Sequence, residues 1–158
     1  GPIHKMDCLG CKSSEKDPNY ITETTHWKVF LNPEQTYLGR AIITLKRHCG
    51  SLSALTTQEW EDYIHLVKTV EFSYKKALRA TLFNWSCLMN NAYQNKPPNP
   101  HVHWHLRPRY ERPVKLFGVT FEDIEFGHHY ARESERNYMA PQSIQQKIIT
   151  LIQKSLIS

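Results

Sequence analysis

His101-Val102-His103-Trp104-His105-Leu106-Arg107-Pro108-Arg109 alternates histidine with bulky apolar residues over its first five positions. On a strand, alternate side chains share a face. His101, His103 and His105 therefore line one side at intervals of roughly 6.6 Å, while Val102 and Trp104 pack into the other. A slip of one residue would bury all three imidazoles, so the hydrophobic pattern sets the register. Two chemistries fit three histidines in a row on one face. They can hold a catalytic zinc, for which imidazole is a common ligand. They can also act on phosphate directly, one as nucleophile and the others as hydrogen-bond donors. Spacing leaves both open. The separate pair Cys8-x-x-Cys11 offers a second place for metal, which would leave the middle histidine free.

Outward from this stretch, Asn91 to Pro100 reads as a loop containing three prolines, and Phe83 to Asn90 as the strand before it. Trp27–Asn32 and Leu38–Lys46 read as two strands of a hairpin, and Val114–Phe121 as a fifth strand. Lys12 to Asn19 is polar and ends in Asp17-Pro18-Asn19, a loop. Thr56-Thr57-Gln58-Glu59 resembles a capping box. Behind it Trp60, Tyr63, Ile64, Val67, Val70, Tyr74, Ala77 and Leu78 recur at helical spacing, predicting one buried face of a helix to about Ala80. Pro141 opens a final helix with Ile144, Ile148, Leu151 and Ile152 on one side. Strand, strand, long helix, strand, strand is an α+β order, with a mostly antiparallel sheet of about five strands and the helix packed on it.

The chain has 158 residues, the size of one domain spanning 1–158, with 111–158 as a C-terminal extension. Gly1-Pro2 reads as a protease-cleavage scar, with 1–5 as a tag remnant, so His4 is given no role. No apolar run approaches the roughly 18 residues of a membrane span, and no secretory signal is visible. The net charge of +5 suits an anionic ligand, but the cations are scattered and form no DNA-binding arm. With no signal, a reducing cytoplasmic setting is expected, where Cys8 and Cys11 stay thiols available to metal. Cys87, in an apolar run, reads as core; Cys49 has no readable role. His128-His129 reads as part of a turn after Gly127, and His26 and His65 as surface residues.

The triad stretch resembles the histidine-triad family of nucleotide hydrolases and transferases, whose pattern is His-x-His-x-His followed by two apolar residues. Here Arg107 replaces the last of these. A second similarity lies in Gly39-Arg-Ala-Ile-Ile-Thr-Leu-Lys-Arg-His48, which resembles the family's glycine, apolar residues, basic pair and histidine. The resemblance covers roughly Cys8 to Arg109. It implies a histidine-triad fold and an attack on the α-phosphate by His103, which becomes nucleotidylated. The His101 carbonyl would fix the His103 tautomer, and His105 would donate to phosphoryl oxygens. It further implies ribose contact by Asn32, phosphate-region contact by Asn90, a base pocket near Leu31 and Ile42, and a structural zinc held by Cys8, Cys11, His48 and His101.

Two departures stand out. Arg40 occupies a position often held by histidine, where it would clamp a phosphate or face solvent. Pro97-Pro98-Asn99-Pro100 stands where a small hydroxyl or amide residue usually reaches the leaving group. The expected activity is hydrolysis of dinucleoside polyphosphates such as diadenosine tetraphosphate. The alternatives are phosphoramidate hydrolysis, nucleotide phosphorylase or transferase activity, a slow nucleotide-binding regulator, or a zinc hydrolase using the triad as ligands. A homodimer is expected from the family habit of pairing through the long helix, and from Phe72, which lies off that helix's apolar stripe.

Overall fold

The computed structural model describes residues 8–132 and 136–157. The scar at Gly1-Pro2 and His4 lie outside them. In chain order the elements are α1 (Leu9–Lys12), β1 (Tyr20–Glu23), β2 (Trp27–Leu31), β3 (Ala41–Leu45), α2 (Thr57–Leu78), β4 (Leu82–Ser86), β5 (His103–Arg109), β6 (Val114–Leu116), β7 (Val119–Phe121) and α3 (Gln142–Ile157). Five strands form one antiparallel sheet in the order β1-β2-β3-β5-β4. The triad strand thus lies inside the sheet, with β3 on one side and β4 on the other.

Alternation makes the two faces. Trp27, Val29 and Leu31 of β2, Ala41, Ile43 and Leu45 of β3, and Leu106 of β5 are buried on the inner face. They pack against Tyr63, Leu66, Val70, Tyr74 and Leu78 of α2 and Ile148 and Ile152 of α3. Each such side chain withdrawn from water contributes about 1.5–3 kcal/mol. The capping box at the start of α2 is present: Glu59 N–H donates to Thr56 Oγ1 at 3.1 Å and Thr56 N–H to Glu59 Oε1 at 2.8 Å. The helix ends at Leu78, where Arg79 turns left-handed with φ 64°.

The turn entering β3 lies hard against this helix. At Gly39, with φ +87°, an added Cβ would fall 2.7 Å from the Tyr74 ring, and the Tyr74 hydroxyl donates to the Gly39 carbonyl at 2.8 Å. Only glycine meets both demands.

The structure corrects four expectations. The fifth strand of the main sheet is β1, not Val114–Phe121. That segment folds on itself as the separate hairpin β6–β7, because Phe117 and Gly118 both take positive φ (55° and 76°) and reverse the chain. Phe83–Asn90 does not run through as a strand: β4 stops at Ser86, and Asn90–Gln94 forms a 3-10 turn. Ile64, expected on the buried face of α2, is 54% exposed, and Leu66 is buried in its place. The triad strand begins at His103 rather than His101. Val102 still donates from its N–H to the Cys49 carbonyl and accepts from Leu45 N–H, which ties the segment to the chain after β3.

Candidate functional site

The outer face of the sheet carries the polar groups. On β5, His103, His105 and Arg107 project from it. Cross-strand pairing sets Thr44 opposite His103 and Ile42 opposite His105 on β3, and Ser86 opposite His105 and Asn84 opposite Arg107 on β4. Beneath them, Trp104 stacks on Tyr63 of α2 at 4.6 Å, holding the strand to the core.

His103 Nδ1 lies 2.7 Å from the His101 carbonyl. A carbonyl only accepts, so Nδ1 carries the proton and donates, leaving Nε2 with its lone pair. This is the tautomer that the resemblance implied. The His105 ring stands edge-on to His103 with centroids 4.9 Å apart. Burial, followed by the charges of His103, Arg107 and Arg40, lowers the His105 pKa to about 4. Near neutrality His105 is therefore an uncharged imidazole with an N–H to donate.

At the other end of the triad, Cys8, Cys11, His48 and His101 converge, with all four donor atoms within 4.8 Å of one another. Cys8 Sγ to His101 Nδ1 is 3.2 Å, Cys11 Sγ to His48 Nδ1 is 3.2 Å, and the two Nδ1 atoms are 3.1 Å apart. A tetrahedron with zinc–nitrogen and zinc–sulfur arms has edges of roughly 3.3–3.8 Å, so the quartet is the right size for that ion. His101 Nε2–H donates to the Leu45 carbonyl at 2.6 Å, which leaves Nδ1 turned to the quartet. Burial, chiefly, keeps the His101 pKa below its ordinary value and favours the neutral, ligating form. Gly10 is required by this packing: a Cβ there would lie 2.6 Å from the His101 ring. When bound, such an ion would cross-link α1 to the triad strand. With four protein ligands it would keep no open position for substrate.

Between the quartet and His103 opens a cavity of ≈ 410 Å³. Ile42, Thr44, Asn91, Asn95, Asn99 and His103 are among its lining residues. The Asn99 Nδ2 amide is buried with no hydrogen-bond partner, so an amide donor does stand in the proline-rich loop before the triad. Asn90 is exposed at the start of its 3-10 turn, and its neighbour Asn91 lines the cavity. Asn32 closes β2 and accepts the Glu34 N–H on its side-chain oxygen at 2.9 Å, a turn-stabilising role. Arg40 pairs with Glu34 at 3.3 Å, while its Nε is buried and unpartnered.

Arg107, which the sequence marked only as a departure from pattern, stacks over the Tyr130 ring at 4.0 Å. Tyr130 comes from the extension beyond the triad strand, and no local signal pointed to it. His128 and His129 are exposed, with the His128 carbonyl accepting from Arg109. Cys87 is only half-buried, packed at the edge of the core.

The fold recurs in solved structures. A zinc-bound histidine triad family protein from Mycobacterium smegmatis superposes with a TM-score of 0.63 over 98% of this chain and 96% of that one, at 14% identity. The chain has the histidine-triad fold. Another structure with the histidine-triad fold, Plasmodium falciparum diadenosine triphosphate hydrolase in complex with cyclomarin A, superposes with a TM-score of 0.57 over 95% of this chain and 90% of that one, at 16% identity. In sequence, this chain is 28% identical over 116 residues to the adenosine 5′-monophosphoramidase of Schizosaccharomyces pombe, covering 72% of this chain and 80% of that protein. No protein-family profile matches the chain.

Proposed function

We propose that this histidine-triad protein is a nucleotide hydrolase that cleaves at the α-phosphate through a covalent nucleotidyl-histidine on His103. The hydrogen bond from His103 Nδ1–H to the His101 carbonyl carries the reading, because it aims an unprotonated Nε2 at the ligand face. Nε2 attacks phosphorus, the bond from phosphorus to the leaving group breaks, and the leaving group departs with the bonding electron pair and takes a proton from water. Water then cleaves the P–N bond, releasing the nucleotide and the free imidazole. His105 donates its N–H to the phosphoryl oxygens as charge builds on them. Asn99, Asn90 or Asn91, Arg40 and Asn32 bind the remainder of the nucleotide.

Dinucleoside polyphosphates are the first substrate class, which the cationic character of the face around Arg40 and Arg107 supports. Phosphoramidates are the second, supported by the named activity of the yeast relative. Turnover of a panel of diadenosine tetraphosphate, diadenosine triphosphate and adenosine 5′-phosphoramidate, with products identified, separates the two. Failure to release AMP from any of them would refute the hydrolase reading.

The quartet of Cys8, Cys11, His48 and His101 is proposed to hold one structural zinc. Elemental analysis should find one zinc per chain, lost in Cys8→Ser. A metal-free, folded and fully active protein would refute this. Thiols kept free for metal accord with a cytoplasmic setting; among the described residues no helix is long and apolar enough to cross a membrane.

A further inference from the structure

We propose that Arg40 and Arg107 form a second anion subsite, which takes a phosphate of the substrate other than the one attacked by His103. The proposal rests on the nucleotide reading above and specifies its substrate class: nucleotides bearing at least one further phosphate.

Arg107 shares the outer face of β5 with His103 and His105. Ile42 pairs with His105, so Arg40, two residues earlier, stands level with Arg107 on the neighbouring strand. Like charges set opposite each other across a sheet are unfavourable. Here the Arg40 side chain is 15% exposed and Arg107 is half-buried, and burial, followed by the charge of Arg40, lowers the Arg107 pKa. Glu34 answers Arg40 at 3.3 Å, so among the described residues one carboxylate faces two guanidinium groups. The Arg40 Nε remains buried without a partner. An unbalanced pair of this kind is what a planar, bidentate grip on phosphate requires.

The pair is held in place. The Arg107 Cζ lies over the Tyr130 ring, 4.0 Å from its centroid, a cation–π contact that holds the guanidinium without using its N–H donors. Tyr130 in turn is carried by a segment clamped by buried Arg109, which makes two bonds to Asp123 (2.7 and 3.0 Å) and one to the His128 carbonyl (2.8 Å). Arg107 sits four strand residues from His103, about 13 Å along the backbone, a gap that its long side chain shortens. The Arg40 carbonyl accepts from Asn32 N–H at 2.9 Å, so the subsite adjoins the residue expected at the ribose. A phosphate on the ribose or one further along the 5′ chain meets this geometry.

The test is calorimetric binding to the His103→Ala chain, which cannot turn over. The ligands are AMP, adenosine 2′,5′-bisphosphate, adenosine 3′,5′-bisphosphate and diadenosine tetraphosphate. At least one phosphate-richer ligand should bind tenfold or more tightly than AMP, and Arg107→Leu in the same background should abolish that gain. A bisphosphate preference places the second phosphate on the ribose; a tetraphosphate preference places it in the chain. Equal affinity for all four, or a gain that survives both Arg107→Leu and Arg40→Gln, overturns the subsite. If no nucleotide binds, the nucleotide reading fails, and pyrophosphate then tests the subsite alone. It should raise the melting temperature of the parent chain and not that of Arg107→Leu; no rise in the parent overturns it.

Discussion

His103 is half-buried, with one ring nitrogen committed to a carbonyl and the other left for chemistry. In the proposed mechanism, binding of the nucleotide rests on other groups. His103→Ala should therefore abolish turnover while keeping nucleotide affinity within about tenfold; more than a few per cent of residual activity would remove His103 as nucleophile. His105 makes a different prediction. Its pKa is lowered to about 4, so the folded protein resists protonating it where the unfolded chain accepts a proton near 6.5. The unfolded state then holds more protons between these values, and stability falls as pH drops from about 6.5 toward 4. An NMR titration of the His105 ring should give a midpoint near 4, and a midpoint near 6.5 would contradict the packing described. Local alternation pointed to both histidines. It did not reveal Asn99 or Tyr130, because neither belongs to a periodic pattern and each reaches the site through a loop.

At the scale of elements, the α2 N-terminus shows how a local signal becomes tertiary. Thr56 and Glu59 form the capping box, and the same Glu59 carboxylate takes Arg47 Nε at 3.0 Å and Nη2 at 2.9 Å. The Arg47 contact, chiefly, lowers the Glu59 pKa to about 2. Because the folded value lies below the ordinary one, the contribution is complete above about 4.5 and is lost as pH falls toward 2. Glu59→Ala should lower stability by about 1–2 kcal/mol at neutral pH, measured by denaturant unfolding, with the gap to the parent closing in acid. A pH-independent gap would mean that the lost packing, not the ion pair, sets the cost. The cap was legible from four consecutive residues. The Arg47 partner was not, since it depends on where the chain after β3 passes.

At the scale of the whole molecule, α3 packs beside α2 and against β1, with the Gln153 amide donating to the Ile21 carbonyl at 2.9 Å. It leaves Phe72 65% exposed and Ile64 54% exposed on α2, with Leu82 48% exposed on the edge strand β4. A large exposed aromatic and two aliphatics on one helix and the adjoining edge suit a second copy of the chain. Light scattering at micromolar concentration should give twice the single-chain mass of 18.6 kDa; a stable single-chain mass would exclude the dimer, and Phe72→Glu should shift a dimer to that mass.

The sequence by itself determined the strand that carries the triad, the face its histidines share, the long helix with its cap, and the pairing of Cys8 with Cys11. These follow from periodicity and short spacing, which act between residues a few positions apart. Only the tertiary structure decided which strand completed the sheet, that Val114–Phe121 turned back on itself, and that Arg107, level with Arg40, met Tyr130; the meeting of Cys8 and Cys11 with His48 and His101 was implied by the family resemblance and not by local pattern. Those outcomes depend on which surfaces remain to be buried once the local elements exist. No stretch of a few residues records that, because the partners lie tens of positions apart and meet only when the sheet closes around the core.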